Sequence, residues 1–341
     1  MSLFRLMGQD LAVDLGAAGT RIYSRGRGIV LDEPSIVTCD TRTGKIVSYG
    51  ADRPAGGDDA SGPAGGTRAV RPVGGSDALD REFTQRLLKH FLRKVHAHPY
   101  ARPRVVMAVP DDSTATDRRD VQDLAFEADA RQIYLVRHAL AAALGAGLPI
   151  GEPAGVMIID IGHHTTRIAI VAGDRVLTTR SVRSGGAHVN GSIARLVERD
   201  HGLIVGDGDA EAAKHGLGTA WKPLDRQVTV RARVPETGHE SRVTLTAQDL
   251  YEATSQPADV IVRAAISAMD GCPADLAADV ATRGAVLVGG GSLVRGLGRR
   301  LRARLGVPVR RAERPRESVA LGLGHCADDL ALAARLHAVR R

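Results

Sequence analysis

One nine-residue pattern occurs twice in this chain. Asp14 to Ile22 read D-L-G-A-A-G-T-R-I, and Asp160 to Ile168 read D-I-G-H-H-T-T-R-I. An apolar run leads into each copy, L-A-V before the first and V-M-I-I before the second, and each leads back into apolar sequence. Strand, tight glycine-containing turn and second strand are the units this spells, used twice. A turn of this kind presents backbone N–H groups to an anion. An Asp closing the first strand is placed to hold metal-bound water, and a Thr after the turn to donate a hydroxyl. Two such hairpins facing each other clamp a polyphosphate from both sides. A single copy carries little weight, but two in matching strand contexts point to a structural repeat.

The remaining sequence supports an α/β protein, duplicated, with a cleft between its halves. Strands are expected near Ile22, Ile29, Ile36 and Ile46, and Arg53 to Thr67 has the Gly/Pro/Ser composition of a loop. Apolar spacing predicts a helix over Phe83 to Val95, with Leu87, Leu88, Phe91, Leu92 and Val95 on one face. A strand at Arg104 to Pro110, a helix at Thr114 to Ala130, a strand near Ile133 to Val136 and a small-residue helix at Ala139 to Gly147 follow. After Pro153 the programme restarts. The second hairpin precedes a third strand at Val176 to Val182, helices at His188 to Asp200 and Asp209 to Leu217, and a β segment at Val228 to Leu245. A long helix at Thr246 to Met269, a strand ending in Gly289-Gly290-Gly291, a helix from Leu293 to Leu305 and a C-terminal helix complete the pattern.

Length and charge bound the function. The 341 residues correspond to about two domains of ~150 residues. Only 3% are aromatic, so the cores rest on Val, Ile, Leu and Ala. The net charge of +7 permits anionic partners. The basic residues are scattered, however, and no nucleic-acid motif accompanies them, so no nucleic-acid partner is expected. Cys39, Cys272 and Cys326 are far apart and form neither a metal spacing nor a disulfide framework, which fits a reducing cytosol. No apolar stretch approaches ~20 residues, and Met1 to Asp10 is too short for a signal sequence.

The chain resembles bacterial actin-like proteins of the MreB group, the rod-shape determinants, over nearly its whole length. The resemblance rests on G-R-G-I-V-L-D-E-P-S at Gly26 to Ser35, R-P-R-V-V-M-A-V-P at Arg102 to Pro110 and A-A-A-L-G-A-G-L-P at Ala141 to Pro149. R-G-A-V-L-V-G-G-G-S-L-V-R-G-L at Arg283 to Leu297 and V-A-L-G-L-G at Val319 to Gly324 extend it. D-A-E-A-A-K-H-G-L-G-T-A, Asp209 to Ala220, is similar to the family's nucleoside-holding helix. The resemblance implies an actin-like duplicated fold, with two ribonuclease-H-like subdomains around a nucleotide cleft and two smaller ones. It divides the chain into subdomain IA (1–31, 69–151, 318–341), IB (32–68), IIA (152–187, 246–317) and IIB (188–245).

The resemblance also implies the site. ATP or ADP is expected on Asp14, Gly16, Ala17, Gly19 and Thr20 of the first turn and Gly162, His163, His164 and Thr165 of the second. Glu211 and Lys214, one helical turn apart, are expected at the nucleoside, and Gly289, Gly290, Gly291 and Ser292 at the phosphates. Asp14 and Asp160 are expected to hold Mg²⁺ through water. The chain departs from the family at several places. Ala17 and Gly19 replace a Thr and an Asn, and His163 and His164 replace glycines. Histidine in a positive-φ position costs roughly 1 kcal/mol or more, so crowding or loss of the phosphate contact is expected at that turn. Arg167 replaces an acidic residue, as do Ala187 and Asn190 after Arg183-Ser184-Gly185-Gly186. Arg137-His138-Ala139 stands where the family carries Glu-Glu-Pro, whose carboxylate orients the attacking water. His138 is therefore the catalytic candidate in place of a Glu, and hydrolysis is expected to be weak or absent.

The family further implies head-to-tail filaments, self-association or assembly with a full-length relative, cell-wall synthesis membrane proteins as partners, and a peripheral location at the inner membrane face. Leu3, Phe4, Leu6 and Met7 form one apolar helix face suited to weak lipid contact. Two alternatives stand beside this reading: a degenerate actin-like scaffold without ATP binding, and a small-molecule kinase of the same superfold.

Overall fold

The computed structural model describes residues 9–52, 66–74, 78–96 and 101–338. The first hairpin joins β1 (Leu11–Leu15) to β2 (Gly19–Ser24), antiparallel, with Asp14 opposite Arg21. β3 (Gly28–Pro34) pairs with β2. A small sheet of β4 (Val37–Asp40), β5 (Ile46–Tyr49) and β6 (Thr67–Val70) follows, ordered β5-β4-β6. Then come α1 (Ala78–Val95), β7 (Arg104–Val109), α2 (Ala115–Glu127), β8 (Gln132–Arg137) and α3 (His138–Gly145). A capping box starts α2: Asp117 N–H donates to Thr114 Oγ1 at 3.1 Å and Thr114 N–H donates to Asp117 at 2.8 Å.

The second half repeats the plan. The second hairpin joins β9 (Val156–Ile161) to β10 (Thr166–Ala172), and β11 (Arg175–Val182) pairs with β10. Next are α4 (Gly186–His201), α5 (Asp207–Leu217) and the hairpin of β12 (Gln227–Arg233) and β13 (Glu240–Thr246). α6 (Ala247–Asp270), α7 (Ala274–Arg283) and β14 (Ala285–Val288) lead to a 3₁₀ turn at Gly290–Leu293. α8 (Leu297–Leu305), β15 (Val309–Arg311), α9 (Ser318–Asp328) and α10 (Leu330–Leu336) end the described chain.

The large sheets run β3-β2-β1-β7-β8 and β11-β10-β9-β14-β15. In each, the outer three strands are antiparallel and the other two continue in parallel from the hairpin's first strand. The duplication expected from the nonapeptides is thus a duplication of whole sheets. β9 is buried at every position, because helices cover both of its faces.

α3 and α9 lie between the sheets. One apolar cluster unites them with Ala12, Val106 and Val136 of the first sheet and Ile158, Val171 and Val288 of the second. The two helices cross at backbone contact: a Cβ on Gly322 would strike the Ala141 carbonyl, and one on Gly145 would strike that of Ser318. This crossing fixes the N-terminus of α3, and with it His138, at the mouth between the halves. On its outer face the first sheet packs on α1 through Phe83, Leu87, Leu88, Phe91 and Leu92, the face expected from spacing. The expected helix over Leu293 to Leu305 is instead a 3₁₀ turn and α8, separated at Gly296 (φ 73°). α7 and β15 were not expected from the pattern. Arg53 to Gly65 and the segment Leu3 to Met7 lie outside the described residues.

Candidate functional site

The two hairpins bring their aspartates to the same cleft. Asp14 ends the inward-facing line of β1 and Asp160 that of β9, and each has an arginine directly across the ladder, Arg21 and Arg167. Directly opposed residues share a sheet face. Arg21 Nη1 lies 3.9 Å from Asp14 Oδ2, and its Nε lies 3.2 Å from Asp32. Asp160 is 6% exposed. Its Oδ2 is bonded by His138 Nε2, which spans from the first half to the second. Its Oδ1 lies against Gly289, where any Cβ would collide with it. The start of α3 is also held from beneath: Ala139 N–H donates to both oxygens of Asp111 at 3.1 and 3.2 Å.

These carboxylates are tuned in different directions. Burial pushes Asp14 above the usual range, against the pull of His138 and Arg21. Burial likewise raises Asp111, despite His138 and the Ala139 N–H. For Asp160 burial also raises the value, but the His138 hydrogen bond and charge, with Arg167 and Arg21, outweigh it and hold the carboxyl below the usual range.

The turns themselves match. In each, the first glycine sits where a Cβ would come within 2.9 Å of a carbonyl three residues on, Gly19 for Gly16 and Thr165 for Gly162. Neither histidine of the second turn has positive φ; among the described residues only Asp129 does outside glycine. The backbone strain expected from replacing glycines is therefore not present. The bulk is present. His163 and His164 meet edge to face at 4.5 Å, and Gly185 passes so close beneath that a Cβ would lie 2.6 Å from the His163 carbonyl. Burial pushes the His163 imidazole down to about 4, with His164 and Arg71 adding to the effect. His164 is lowered for the same reasons, burial first and then His188 and Arg71. Arg71 reaches in after β6, its Nη1 donating to the Ala18 carbonyl of the first turn at 3.1 Å.

The turn threonines serve the scaffold. Ser35 Oγ donates to Gly16 O at 2.6 Å, so Thr20 donates to Ser35 at 2.8 Å, and Thr20 is fully buried. The equivalent Thr166 donates to Ser184 O at 2.6 Å. Hydroxyls expected to face a ligand instead pin the hairpins to the following segments. Ser292 behaves alike, donating to Gly289 O at 2.6 Å inside the 3₁₀ turn. Gly289 itself needs its positive φ of 79° and its missing side chain to pass Asp160. Gly290 is exposed, and Gly291 closes on Ile161.

On α5, Glu211 and Lys214 face α4, as the spacing requires. Lys214 Nζ donates to Glu211 at 2.7 Å and to Gly186 O at 3.3 Å. Asn190 Nδ2 donates to the same Glu211 oxygen at 2.7 Å and to Asp207 at 2.9 Å, leaving its buried Oδ1 without a partner. Burial raises Glu211, but Lys214, Asn190 and His215 together bring it below its ordinary value. The Gly186 position places Lys214 Nζ and His163 Nδ1 within 3.7 Å of one hypothetical Cβ, so the α5 cluster adjoins the second turn. Arg21, Arg71 and Asp111 were missed as site residues. The first had a signal, since T-R-I closes both nonapeptides; the other two arrive only through folding.

Two equivalent sheets, two facing hairpins and a helix pair between them define an actin-like protein. Known proteins agree. The profile of the MreB/Mbl protein family matches residues 8–335. The chain is 39% identical over 328 residues to the cell shape-determining protein MreB of Escherichia coli (strain K12), covering 94% of this chain and 93% of that one. The solved structure of MreB 5 of Spiroplasma citri bound to AMPPNP is similar with a TM-score of 0.87 at 25% identity, over 96% of this chain and 98% of that one. The MamK double helical filament matches in fold, with a TM-score of 0.78 at 20% identity over 94% and 99% of the chains. The chain belongs to the MreB/Mbl family.

Proposed function

We propose that this chain is a nucleotide-binding, filament-forming actin-like protein at the inner membrane face that organises cell-wall synthesis and cell shape, with ATP hydrolysis slow or absent. The observation that carries it is the pair of equivalent hairpins facing one another across a cleft that α5 and the Gly289 turn close. The Spiroplasma citri relative bound to AMPPNP supports an adenine nucleotide here, and the MamK double helical filament, alike in fold, supports self-association into filaments. The subdomain division given above, assembly with a full-length relative and wall-synthesis partners belong to the same reading. Among the described residues no helix is long and apolar enough to cross a membrane; surface contact falls to the N-terminal apolar face.

Slow turnover follows from His138. A water-orienting base must have a free acceptor within reach of the water. His138 directs Nε2 to Asp160, which fixes the ring and leaves only Nδ1 as an acceptor, and no carboxylate replaces it on α3. Mg²⁺ shared by Asp14 and Asp160 does not fit these residues. One oxygen of Asp160 already carries the His138 hydrogen bond, and an arginine stands across the ladder from each aspartate. Among the described residues no three His, Cys, Asp or Glu side chains are grouped to hold a metal ion.

Calorimetry with ATP and ADP, paired with sedimentation in each nucleotide, tests the reading. Binding with nucleotide-sensitive pelleting is the expected result. Pelleting without any binding at millimolar nucleotide replaces it with the scaffold reading.

A further inference from the structure

The cleft carries fixed positive charge where a divalent cation would be asked to supply it. In each hairpin the residue across from the aspartate is an arginine, and arginine stays charged at any accessible pH. The arrangement is repeated by the duplication, so it is not a single surface accident. Arg21 is enclosed between Asp14 and Asp32. Asp160 is further occupied by His138, and this contact needs only the imidazole N–H, whatever the charge of the ring. A third arginine, Arg71, is anchored on Ala18 of the first turn, and its field reaches His163 and His164 of the second. A guanidinium between two turns that present backbone N–H groups is a suitable polyphosphate ligand, because its planar fork matches phosphate oxygens.

We propose that this site takes its adenine nucleotide as a metal-free polyphosphate anion, with Arg21 and Arg167 balancing the two aspartates and Arg71 acting as the cation on the phosphates. The inference rests on the nucleotide reading above. A divalent ion ordinarily neutralises both the phosphates and the carboxylates around it. Here Arg21 lies 3.9 Å from Asp14, His138 is bonded to Asp160 with Arg167 across the ladder, and the phosphates find Arg71 at the lip of the cleft.

The test is a titration of the full chain with fluorescent ADP and ATP analogues, once in Mg²⁺ and once in EDTA. The dissociation constant is expected to agree within about threefold between the two buffers. Arg71→Ala should weaken binding about tenfold in both. His138→Ala combined with Arg167→Asp, which frees Asp160, should make binding about tenfold weaker in EDTA than in Mg²⁺. If that pair fails to fold, the wild-type comparison decides alone. Wild-type binding that falls more than about tenfold in EDTA overturns this inference and leaves the nucleotide reading standing. No binding in either buffer overturns both.

Discussion

His163 offers a measurement of how far the second turn has changed. Burial, then His164 and Arg71, press its imidazole down to about 4, against the opposite pull of Asp207 and Glu211. In the unfolded chain it returns to about 6.5. As pH falls, the unfolded state takes up the proton first. The contribution is therefore fully present above pH ~6.5 and is lost as pH falls toward ~4. At pH ~5 this linkage amounts to about 2 kcal/mol, and partial solvent contact of the ring trims it to about 1–2 kcal/mol. Urea midpoints of wild type and His163→Gln at about pH 7.5 and about pH 5 isolate it, because the other titrating groups cancel in the difference. Wild type should lose about 1–2 kcal/mol more than the variant on acidification. Ring NMR should show the imidazole neutral well below pH ~6. Bound ADP brings negative charge to the turn and raises the imidazole pKa, so saturating ADP should shrink the difference. Parallel acid losses in the two proteins, or an NMR midpoint near 6.5, would refute the assignment of a buried neutral ring.

Gly322→Leu should separate α3 from α9 and cost about 1–3 kcal/mol, read as a lowered melting temperature with circular dichroism otherwise retained. Lys214→Met removes the cation shared by Glu211 and Gly186 O; calorimetry should show nucleotide affinity down about tenfold, and unchanged affinity would place Lys214 outside the site. His138→Glu should raise phosphate release above wild type if a carboxylate is what the site lacks. The single change is preferable to adding Ala139→Pro, which deletes the N–H that Asp111 accepts. A chain starting at Gly8 lacks Leu3, Phe4, Leu6 and Met7 and should lose co-sedimentation with anionic liposomes; equal binding by both chains would remove the N-terminus from the membrane reading.

The fold was legible wherever a local rule matched the tertiary outcome. The nonapeptides marked both hairpins because glycine at Gly16 and Gly162 is required by the turn and the flanking runs alternate or bury fully. The α1 stripe was read correctly because one side of that helix meets the core. α7 escaped because it is only ten residues long, four of them alanine, and buries only Val280 fully. β15 is three residues, two of them arginine, and becomes a strand only by adding to β14. The break before α8 had a local signal in Gly296. Its left-handed conformation lets the backbone pass Trp221, a contact invisible until the β12 approach and the 3₁₀ turn meet.

The site was legible as a set of positions and illegible as a set of partners. Asp14, Asp160, Gly162, His163 and Gly289 do meet, because their places at strand ends and turns are set by the hairpin and by the strand that follows. What each polar atom faces is decided by segments far away in sequence. Thr20 looked available until Ser35 came beneath it, and Lys214, expected with Glu211 at the nucleoside, also reaches the Gly186 carbonyl of α4. The histidines of the second turn illustrate the same division. Substitution for glycine implied strain, yet the backbone keeps negative φ throughout, so the change acts through ring volume and charge and not through conformation. His138 is the clearest case: its position at the start of α3 was readable, while its bond to Asp160 requires both sheets and the crossing at Gly145 and Gly322. A family scaffold can thus be preserved while the residues between its halves change, because the residues that hold the sheets together and those that face the cleft share one face of the same strands but occupy different positions along it, Ala12 and Ile158 within the packed interior and Asp14 and Asp160 at its end.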